Sequence, residues 1–389
     1  MKKLAVIVDT FPRWSERFIA RELQELRRRG VEFTVFCLKA GPPPCAGDTD
    51  WEGLLERRVV LPARLIPTRV RTDGLAPAAR ERWDEARRHF GVGGYRQLGR
   101  ALGLCSALHD GGFRHVHAHF ANLPSTVGWL AATSLSLPFS FSAHARDVFI
   151  EPQLLDGKLA DCVRVFTCHE RAQELLSAQA AEKSKVRLMH HGLPLEQFAF
   201  RVRQAGCGLR ILAAGRFVPK KGGDVLVEAA AQPALATRAV TMALLGEGPE
   251  KGALAARIRK LRLKSKVVIK EPVGGSELRK VLADADVFVA PYRLAPDGDA
   301  DGVPNVVLEA FALGVPVIGT DAGGLSEILT PETGTVVPQN DPVALAQAMA
   351  AFMDSPAAAC EKTRAARALV ERDYDIRKNI EPLWEVVRE

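Results

Sequence analysis

The sequence lacks any long apolar stretch. No uninterrupted apolar run approaches the roughly 18 residues that a membrane-spanning helix needs, and the first run, LAVIV, ends after five residues at Asp9. The start of the sequence also lacks a recognisable secretory signal. We therefore expect a protein that neither spans a membrane nor is exported through such a signal.

Cysteine is also scarce and has no pattern. The seven cysteines are scattered over 389 residues, without a CxxC pair or the spacing of zinc ligands. An odd number of unpatterned cysteines favours free thiols in a reducing compartment. We expect a cytoplasmic protein. A peripheral position on the inner face of the cytoplasmic membrane is also compatible with the sequence.

Acidic residues are few between residues 57 and 100, where arginines outnumber them. Most of the net charge of +7 is concentrated in this segment. The arginines of this basic segment are Arg57, Arg58, Arg64, Arg69, Arg71, Arg80, Arg82, Arg87, Arg88, Arg96 and Arg100. Such a patch suits phosphate on an anionic membrane surface; nucleic acid is disfavoured, because no aromatic-interleaved basic strand accompanies it. Trp83, Ala86 and Phe90 form an apolar stripe that could face lipid or pack on the protein's own core.

The chain alternates short β-branched apolar runs with helical segments. The alternation runs from LAVIVD (4–9) to KVRLMHHG (185–192), restarts at LRILAAG (209–215) and continues to VPVIGT (315–320). It predicts an α/β protein with two Rossmann-like parallel-sheet domains facing each other across a cleft. We place the first domain at 1–200, the second at 207–370 and a terminal helix at 371–389.

The stretch DGDADGVPNVVLEAF (297–311) resembles half of a calcium-binding EF-hand loop. Its bidentate carboxylate should stand at position twelve of the loop, which is Leu308, and a strand-like segment replaces the incoming helix. We therefore reject a calcium site. Asp297 and Asp299 are expected only to solvate the loop.

The same stretch also predicts the start of a helix. Proline is favoured in the first turn and glycine just after the end, so a helix should begin about Pro304 and end at Gly314. Asp301, Asn305 and Glu309 then form one polar stripe on an apolar helix. The free N–H groups at such a helix start are suited to binding a diphosphate.

GRFVPKKGG (215–223) follows the strand-like LRILAA and places Arg216 and Lys221 five residues apart. It is not a Walker loop, but both cations could reach one diphosphate without a metal. Taken by itself, the loop favours a solvated basic turn. HAHF offers His117 and His119 at alternate strand positions, but no third ligand follows, and we predict no metal site.

Taken together, these motifs resemble the family-four retaining glycosyltransferases of the GT-B fold. The family's G-R-x4-K-G loop is matched from Gly215 to Lys221-Gly222, its E-x7-E motif from Asp301 to Glu309, and its GG loop at Gly323-Gly324. The resemblance is closest to exopolysaccharide and colanic-acid type enzymes, whose S-E-T-F-I loop is similar to SERFI from Ser15. It covers nearly the whole chain.

The resemblance implies a donor site in the second domain and an acceptor site in the first. Arg216 and Lys221 would bind the diphosphate of a UDP-sugar or GDP-sugar, Glu309 the ribose and Asp301 the sugar. The other implied donor-binding residues are Gly246, Glu247, Gly302, Val303, Pro304 and Asn305, with the nucleoside around KEPV (270–273). Asp301 stands where the family usually has a glutamate.

In the first domain, SFSAHARD matches the family's H-x-x-D segment, which implies that His144 lies beside the transferred sugar. The implied acceptor-binding residues are Ser15, Glu16, Arg17, His119 and Arg146, although Ser15 could simply cap a helix. Family habit implies that the terminal helix returns to the first domain.

The implied activity is metal-independent, retaining transfer of a sugar from a nucleotide sugar to a saccharide acceptor, which we expect to be a lipid-linked saccharide such as a lipid-diphosphate saccharide. His144, Asp301, Arg216 and Lys221 are the implied catalytic residues, and no cofactor is expected. Two alternatives stay open: a nucleotide-sugar hydrolase or epimerase, and a non-catalytic nucleotide-sugar-binding protein.

Overall fold

The computed structural model describes residues 3–44, 48–62, 75–91, 95–150, 152–202 and 208–388. These residues form two compact units. The first takes the described residues of Met1–Pro44, Asp50–His190 and Arg377–Glu389, and the second those of Cys45–Thr49 and His191–Ile376.

The first unit is built on a parallel seven-stranded sheet in the order β3-β2-β1-β4-β5-β6-β7. Its strands are β1 (Lys3–Phe11), β2 (Phe33–Ala40), β3 (Arg58–Val60), β4 (Phe113–His119), β5 (Phe139–Ala143), β6 (Arg164–Thr167) and β7 (Val186–Leu188). The helices between them are α1 (Arg17–Arg28), α2 (Pro77–Phe90), α3 (Tyr95–Asp110), α4 (Leu123–Ser134), α5 (Ala145–Phe149), α6 (Leu155–Asp161) and α7 (Glu170–Gln179).

The second unit repeats this plan with a parallel six-stranded sheet in the order β10-β9-β8-β11-β12-β13. Its strands are β8 (Leu209–Ala214), β9 (Val240–Leu245), β10 (Val267–Lys270), β11 (Val287–Ala290), β12 (Val317–Thr320) and β13 (Thr335–Val337). Its helices are α8 (Gly223–Ala230), α9 (Pro233–Ala236), α10 (Lys251–Lys260), α11 (Gly275–Asp284), α12 (Asn305–Leu313), α13 (Pro342–Asp354) and α14 (Pro356–Asp373).

Both sheets have apolar cores on their two faces, as expected for parallel strands covered by helices. In the first unit one cluster includes Trp129 and Phe141, and the other includes Phe18 and Phe33. The predicted α/β class with two parallel-sheet domains is confirmed. The strands β3 and β13, each of three residues at a sheet edge, were not predicted.

The strand order reverses between β1 and β4 in the first unit and between β8 and β11 in the second. Crossovers leave to opposite sides at such a switch point, so a crevice opens beyond the carboxyl ends of the two strands. The loops after β8 and β11, which carry the predicted donor-binding residues, therefore meet at the crevice of the second sheet.

The boundary between the units lies at His190, about ten residues before the position expected from the sequence. The segment after it packs into the second unit, because Leu193 and Phe198 are 0% and 1% exposed in that unit's core. The final residues from Arg377 belong to the first unit. There α16 (Glu381–Arg388), which follows α15 (Ile376–Asn379), buries Leu383 against the core around β1 and α1.

The apolar stripe of the basic segment faces the interior. Trp83 and Ala86 are both 0% exposed, Phe90 packs against the same core, and the indole Nε1 of Trp83 donates to Ser134 Oγ at 2.9 Å. The stripe is therefore part of the core and not a lipid-facing surface. Arg64, Arg69 and Arg71 of the same segment lie outside the described residues.

None of the helices in the described ranges is both long enough and apolar enough to span a bilayer.

Candidate functional site

The loops after β8 and β11 are joined by ion pairs at the switch point of the second sheet. Lys221 ends a short 3-10 turn after β8, and its Nζ contacts one carboxylate oxygen of Asp301. The other oxygen of Asp301 lies 3.1 Å from Lys220 Nζ. The structure thus brings together two residues, Lys221 and Asp301, that the sequence predicted for one site.

These contacts control the charge state of the Asp301 carboxyl. Burial alone would raise its pKa, but Lys221 and Lys220 outweigh burial and lower the pKa of Asp301 to about 2. Burial likewise opposes the charge of Lys221, yet Asp301 and Tyr292 raise the pKa of the lysine above its ordinary value. The Lys221 ammonium also lies 3.9 Å from the centre of the Tyr292 ring. Both partners therefore carry full charge at neutral pH.

The two preceding aspartates have structural roles that the sequence did not predict. Asp299 is 9% exposed, and its Oδ1 lies 3.0 Å from Lys220 Nζ. Asp297 Oδ1 accepts a hydrogen bond from the Asp299 backbone N–H at 3.1 Å, which closes a tight turn. The expectation that both residues only solvate the loop is therefore wrong. A calcium loop is also excluded, because β11 precedes the stretch and Asp299 and Asp301 point at lysines.

An open pocket adjoins Lys221. Its empty volume, which includes solvent at the mouth, is about 380 Å³. Its lining includes Gly215, Arg216, Phe217, Lys221, Glu250 and Tyr292. Arg216 is exposed and forms no ion pair with any described residue, so its guanidinium is available to an anion. Burial and the neighbouring Asp224 raise the pKa of Glu250. Size and charge suit the phosphate end of a small ligand.

The helix predicted around residues 304–314 is observed as α12. It begins at Asn305 after the N-cap residue Pro304 and ends before Gly314, whose φ of 74° places it in the left-handed region. The N–H groups of Val307 and Leu308 donate to Pro304 O at 3.0 and 3.3 Å. The first two N–H groups of α12 have no acceptor among the described residues, as expected at a helix start.

Glu309 lies in the second turn of α12 and is 3% exposed. Asn305, one turn earlier, donates from Nδ2 to His191 Nδ1 at 3.3 Å, and its side-chain oxygen is buried. A buried carboxylate on an apolar helix is costly unless polar groups satisfy it. Asn305 and Glu309 therefore lie one turn apart on α12, but Asp301 precedes the helix in the loop, so the predicted three-residue stripe on one helix is wrong for Asp301.

Two glycine positions let these loops touch. A side chain on Gly324 would collide with the backbone of Gly302 and Val303, with a Cβ to carbon distance of 2.6 Å at Gly302. Gly324 N–H donates to Asp301 O at 2.9 Å, which holds the donor loop in place. Gly246 has a φ of 155° and packs directly against Gly215 O.

Glu247, the residue after Gly246, also connects these loops. Its carbonyl accepts from the Phe217 N–H at 2.7 Å, and the Gly246 N–H donates to Lys270 O at 3.0 Å. The loops after β8, β9 and β10 are thus linked by backbone hydrogen bonds, and GEGP lies beside both GRF and the start of KEPV.

In the first unit, His144 is the N-cap residue of α5, immediately after β5. The Asp147 carboxylate accepts hydrogen bonds from the His144 N–H at 3.0 Å and from the Ala121 N–H. Lys158 Nζ donates to Ala121 O at 2.7 Å. Asp147 and Lys158 are buried, and they join the loops after β4 and β5.

The His144 imidazole is neutral at physiological pH. Burial, with nearby His169, lowers its pKa to about 3. The ring packs against Phe18 and Phe120, with centroid distances of 5.0 and 4.5 Å. His144 can therefore donate or accept a hydrogen bond but carries no charge to offer a ligand.

His117 and His119 are core residues. His117 Nδ1 bonds to Ser140 Oγ at 2.9 Å and Nε2 to Ser142 Oγ at 3.2 Å, so both ring nitrogens are engaged. His119 is 1% exposed and lies 3.8 Å from Glu22, whose pKa is raised to about 8 by burial. His119 presents no atom to solvent, and we leave it out of the proposed acceptor site.

The remaining predicted acceptor residues lie after β1 and β5. Ser15 and Glu16 belong to a 3-10 turn, and Glu16, not Ser15, is the N-cap residue of α1, without a side-chain capping bond. Arg17 is 7% exposed, with Asp50 at 3.8 Å from its Nε. Arg146 is exposed in the first turn of α5.

Comparison with known proteins identifies the second unit. Residues 208–355 match the family model described as glycosyl transferases group 1. The match contains the loops with Arg216, Lys221 and Asp301 and the helix α12 with Glu309, and it covers the whole strand series from β8 to β13.

Curated relatives extend the likeness. A WcaL of Escherichia coli (strain K12), named as a colanic acid biosynthesis glycosyltransferase, is 33% identical over 204 residues, which are 51% of this chain and 50% of that protein. The amylovoran biosynthesis glycosyltransferase AmsK of Erwinia amylovora is 29% identical over 52% of this chain and 50% of its own length. The chain spans about half the length of these curated relatives.

Solved structures show the fold of the whole chain. Anabaena Alr3699/HepE in complex with UDP and glucose has a TM-score of 0.75 at 15% identity, with all of both chains covered. Sucrose-phosphate synthase from Thermosynechococcus elongatus has a TM-score of 0.73 at 20% identity, covering 100% of this chain and 98% of that chain. The group 1 glycosyltransferase segment is therefore part of a GT-B fold.

Proposed function

We propose that this protein is a retaining glycosyltransferase that moves a sugar from a nucleotide diphosphate sugar to a saccharide acceptor in polysaccharide biosynthesis. The observation that carries the proposal is the meeting of Lys221, Asp301 and the start of α12 at the switch point of a group 1 glycosyltransferase domain. Lys221 and Arg216 supply positive charge beside the pocket, and α12 supplies free N–H groups.

The proposed chemistry is electrostatic. Breaking the bond between the sugar's anomeric carbon and the donor phosphate leaves negative charge on a nucleoside diphosphate. Arg216, Lys221 and the N-terminal amides of α12 stabilise that charge, which lowers the barrier without a metal. The acceptor hydroxyl attacks the same face of the sugar, and its proton passes to the leaving phosphate oxygen. The anomeric configuration is retained.

The remaining predicted residues have positioning roles in this proposal. Glu309 accepts hydrogen bonds from the ribose, and Asp301 binds hydroxyls of the donor sugar. His144 stays neutral and offers one hydrogen bond to the transferred sugar. Ser15, Glu16, Arg17 and Arg146, on loops after β1 and β5, contribute to the acceptor surface of the first unit.

A thermal-shift panel of UDP, GDP, ADP and their sugars tests the donor site. UDP and UDP-sugars are the first choice, since the solved HepE structure contains UDP. A ligand at 100 times its dissociation constant adds about 2.7 kcal/mol to the free energy of unfolding. Arg216→Ala should remove most of the shift, whereas Arg259→Ala, the same change at an exposed position on α10, should keep it. No shift with any nucleotide would overturn the proposal.

Product analysis separates transfer from the two alternatives. A hydrolase or epimerase would consume donor at the same rate with and without a saccharide acceptor, and a binding protein would never consume it. Donor consumption that depends on acceptor, with the product's anomeric configuration unchanged, is the expected result.

We further propose a lipid-linked acceptor, which would account for the arginine density of the basic segment. Arg88 and Arg96 are exposed arginines of the basic segment and could meet lipid phosphate. Sedimentation with vesicles of anionic lipid at low salt should show binding, and Arg88→Ala with Arg96→Ala should weaken it. Equal sedimentation with neutral vesicles would contradict the electrostatic attraction.

A further inference from the structure

Asp301 is held by two lysines in different positions. Lys221 lines the pocket, whereas Lys220 is 7% exposed and does not line it. Lys220 Nζ lies 3.1 Å from Asp301 and 3.0 Å from Asp299, and donates to Ala300 O at 3.4 Å. Lys220 was not among the residues predicted from the sequence.

The backbone around Lys220 is fixed to the loop after β11. The Arg293 N–H donates to Lys220 O at 3.0 Å, and Arg293 Nε donates to Pro219 O at 2.8 Å. Arg293 is itself held by Asp224 at 3.0 Å. These bonds fix the backbone of Lys220, and its ion pairs hold the ammonium beside Asp299 and Asp301.

Lys220 and Lys221 differ in function because of the charges that each of them compensates. Without ligand, Lys220 and Lys221 compensate Asp299 and Asp301, so the buried cluster has no net charge. A donor diphosphate that takes Lys221 removes one of the two cations from Asp301. An uncompensated buried carboxylate is costly, and would then lose its charge or its position.

We propose that Lys220, held by Asp299, is a positioning residue that keeps the Asp301 carboxylate charged and oriented while Lys221 binds the donor diphosphate. The inference rests on the proposed function. On donor binding, the Lys221 ammonium then exchanges its contact with one Asp301 carboxylate oxygen for a contact with the donor phosphate. The Asp301 oxygen that is released turns to the sugar. No covalent bond changes in this step.

The proposal separates recognition of the sugar from recognition of the nucleotide. Lys221 and Arg216 bind the diphosphate of a nucleotide with or without its sugar. Lys220 acts only through Asp301, so it should influence the nucleotide sugar and not the free nucleotide. The ratio of the two dissociation constants therefore reports on Lys220.

The test uses the full chain and the best nucleotide and nucleotide sugar of the thermal-shift panel, measured by calorimetric titration. The main variant is Lys220→Met with Asp299→Asn, which removes a buried charge pair together and preserves the net charge. We expect the nucleotide dissociation constant to stay within about threefold of wild type, and that of the nucleotide sugar to rise about tenfold or more. Lys260→Met, at an exposed position on α10, is the matched control.

A pH titration provides a readout that a purely structural role would not move. The ionised form of Asp301 is the one that binds sugar hydroxyls, and its pKa is held low by both lysines. Removing Lys220 should raise the pKa of Asp301. As the pH is lowered, the variant should therefore begin to lose nucleotide-sugar affinity at a higher pH than the wild type does. Free nucleotide affinity in the same pH range should show no such difference.

The possible outcomes distinguish failure of the proposed function from failure of the inference about Lys220. A wild type that binds no nucleotide would overturn the proposed function and this inference with it. A wild type that binds both ligands, with a double variant that keeps the same ratio of dissociation constants, would overturn the inference alone. Equal weakening of both ligands would also overturn it, by placing Lys220 in the diphosphate site.

The single variant Lys220→Met provides a second test in case the double variant misfolds. It leaves Asp299 without its lysine, so we expect a lower unfolding temperature and the same selective loss of nucleotide-sugar affinity. If the double variant does not fold, a single variant whose circular dichroism matches wild type and which shows no selective loss contradicts the proposal.

Discussion

Lys221 and Asp301 stand on loops that are far apart in the sequence, and their charged groups are in contact at the switch point of the second sheet. The cation proposed for the donor diphosphate is therefore already paired with a carboxylate. In the proposed function, the donor phosphate competes with Asp301 for Lys221. This competition lowers donor affinity relative to a free lysine, but it avoids an unpaired buried charge.

Lys221→Met is expected to weaken nucleotide binding by about tenfold to a hundredfold, because one charge-assisted contact to phosphate is lost. Asp301 keeps its contact with Lys220, so folding should be preserved. Calorimetric titration with the best nucleotide measures the effect, and Lys260→Met is the control. Unchanged affinity would show that the diphosphate does not use Lys221.

Glu309→Gln should distinguish ribose from phosphate recognition. The side chain is buried in the second turn of α12, and the amide keeps its size while removing the charge. We expect about tenfold weaker binding of the nucleotide and little change for inorganic pyrophosphate, which has no ribose. Competition titration of both ligands provides the comparison. A parallel loss of pyrophosphate binding would place Glu309 at the phosphates.

Glu22→Gln should change the pH dependence of stability. Burial raises the pKa of Glu22 from 4.5 to about 8 in the folded protein. Between these values the unfolded state releases the proton and the folded state keeps it, so the wild type loses stability as pH rises. The variant has no such proton. Its free energy of unfolding relative to wild type should rise by up to about 1.4 kcal/mol per pH unit in that window.

Urea unfolding at several pH values from about 4.5 to 8 measures this difference. Glu52→Gln, an exposed change on the same unit, should give a difference that does not depend on pH. A flat difference for Glu22→Gln as well would mean that Glu22 is ionised in the folded protein, and would contradict its apolar surroundings.

Trp83→Ala tests the assignment of the apolar stripe to the core. The indole is fully buried and donates to Ser134, so the variant leaves a cavity and removes one hydrogen bond, while the Ser134 hydroxyl still donates to Leu130 O. We expect a loss of about 3–5 kcal/mol in the free energy of unfolding. Vesicle binding of the folded fraction should be unchanged. Weaker vesicle binding at unchanged stability would instead restore the lipid-facing role.

Particular elements show how far local sequence reasoning reaches. Proline and glycine placed α12 between residues 304 and 314, and the structure has it at Asn305–Leu313. Both signals act within one helical turn, so the sequence contains them in full. The longer strands were found in the same way, from consecutive β-branched residues. The short edge strands β3 and β13 form because a neighbouring strand offers hydrogen bonds, which no local pattern records.

Residues whose roles depend on distant partners were missed or misjudged. Lys220 was not singled out beside Lys221, and Asp299 was expected to be a solvated residue of a loop. The alternation of Asp297, Asp299 and Asp301 was the available signal, since alternate residues of an extended loop share a side. Trp83, Ala86 and Phe90 were correctly placed on one face of a helix, but the sequence left open what covers that face.

The sequence by itself determined the order of strands and helices, the start and end of α12, and the presence of cations after β8 and carboxylates after β11. These features depend on backbone preferences and apolar periodicity over a few neighbouring residues. Only the tertiary structure decided that Lys220 pairs with Asp299, that Lys221 shares Asp301 with it, and that His119 is buried. Electrostatic contacts act over a few ångströms, and the parallel sheets decide which distant residues come within that range.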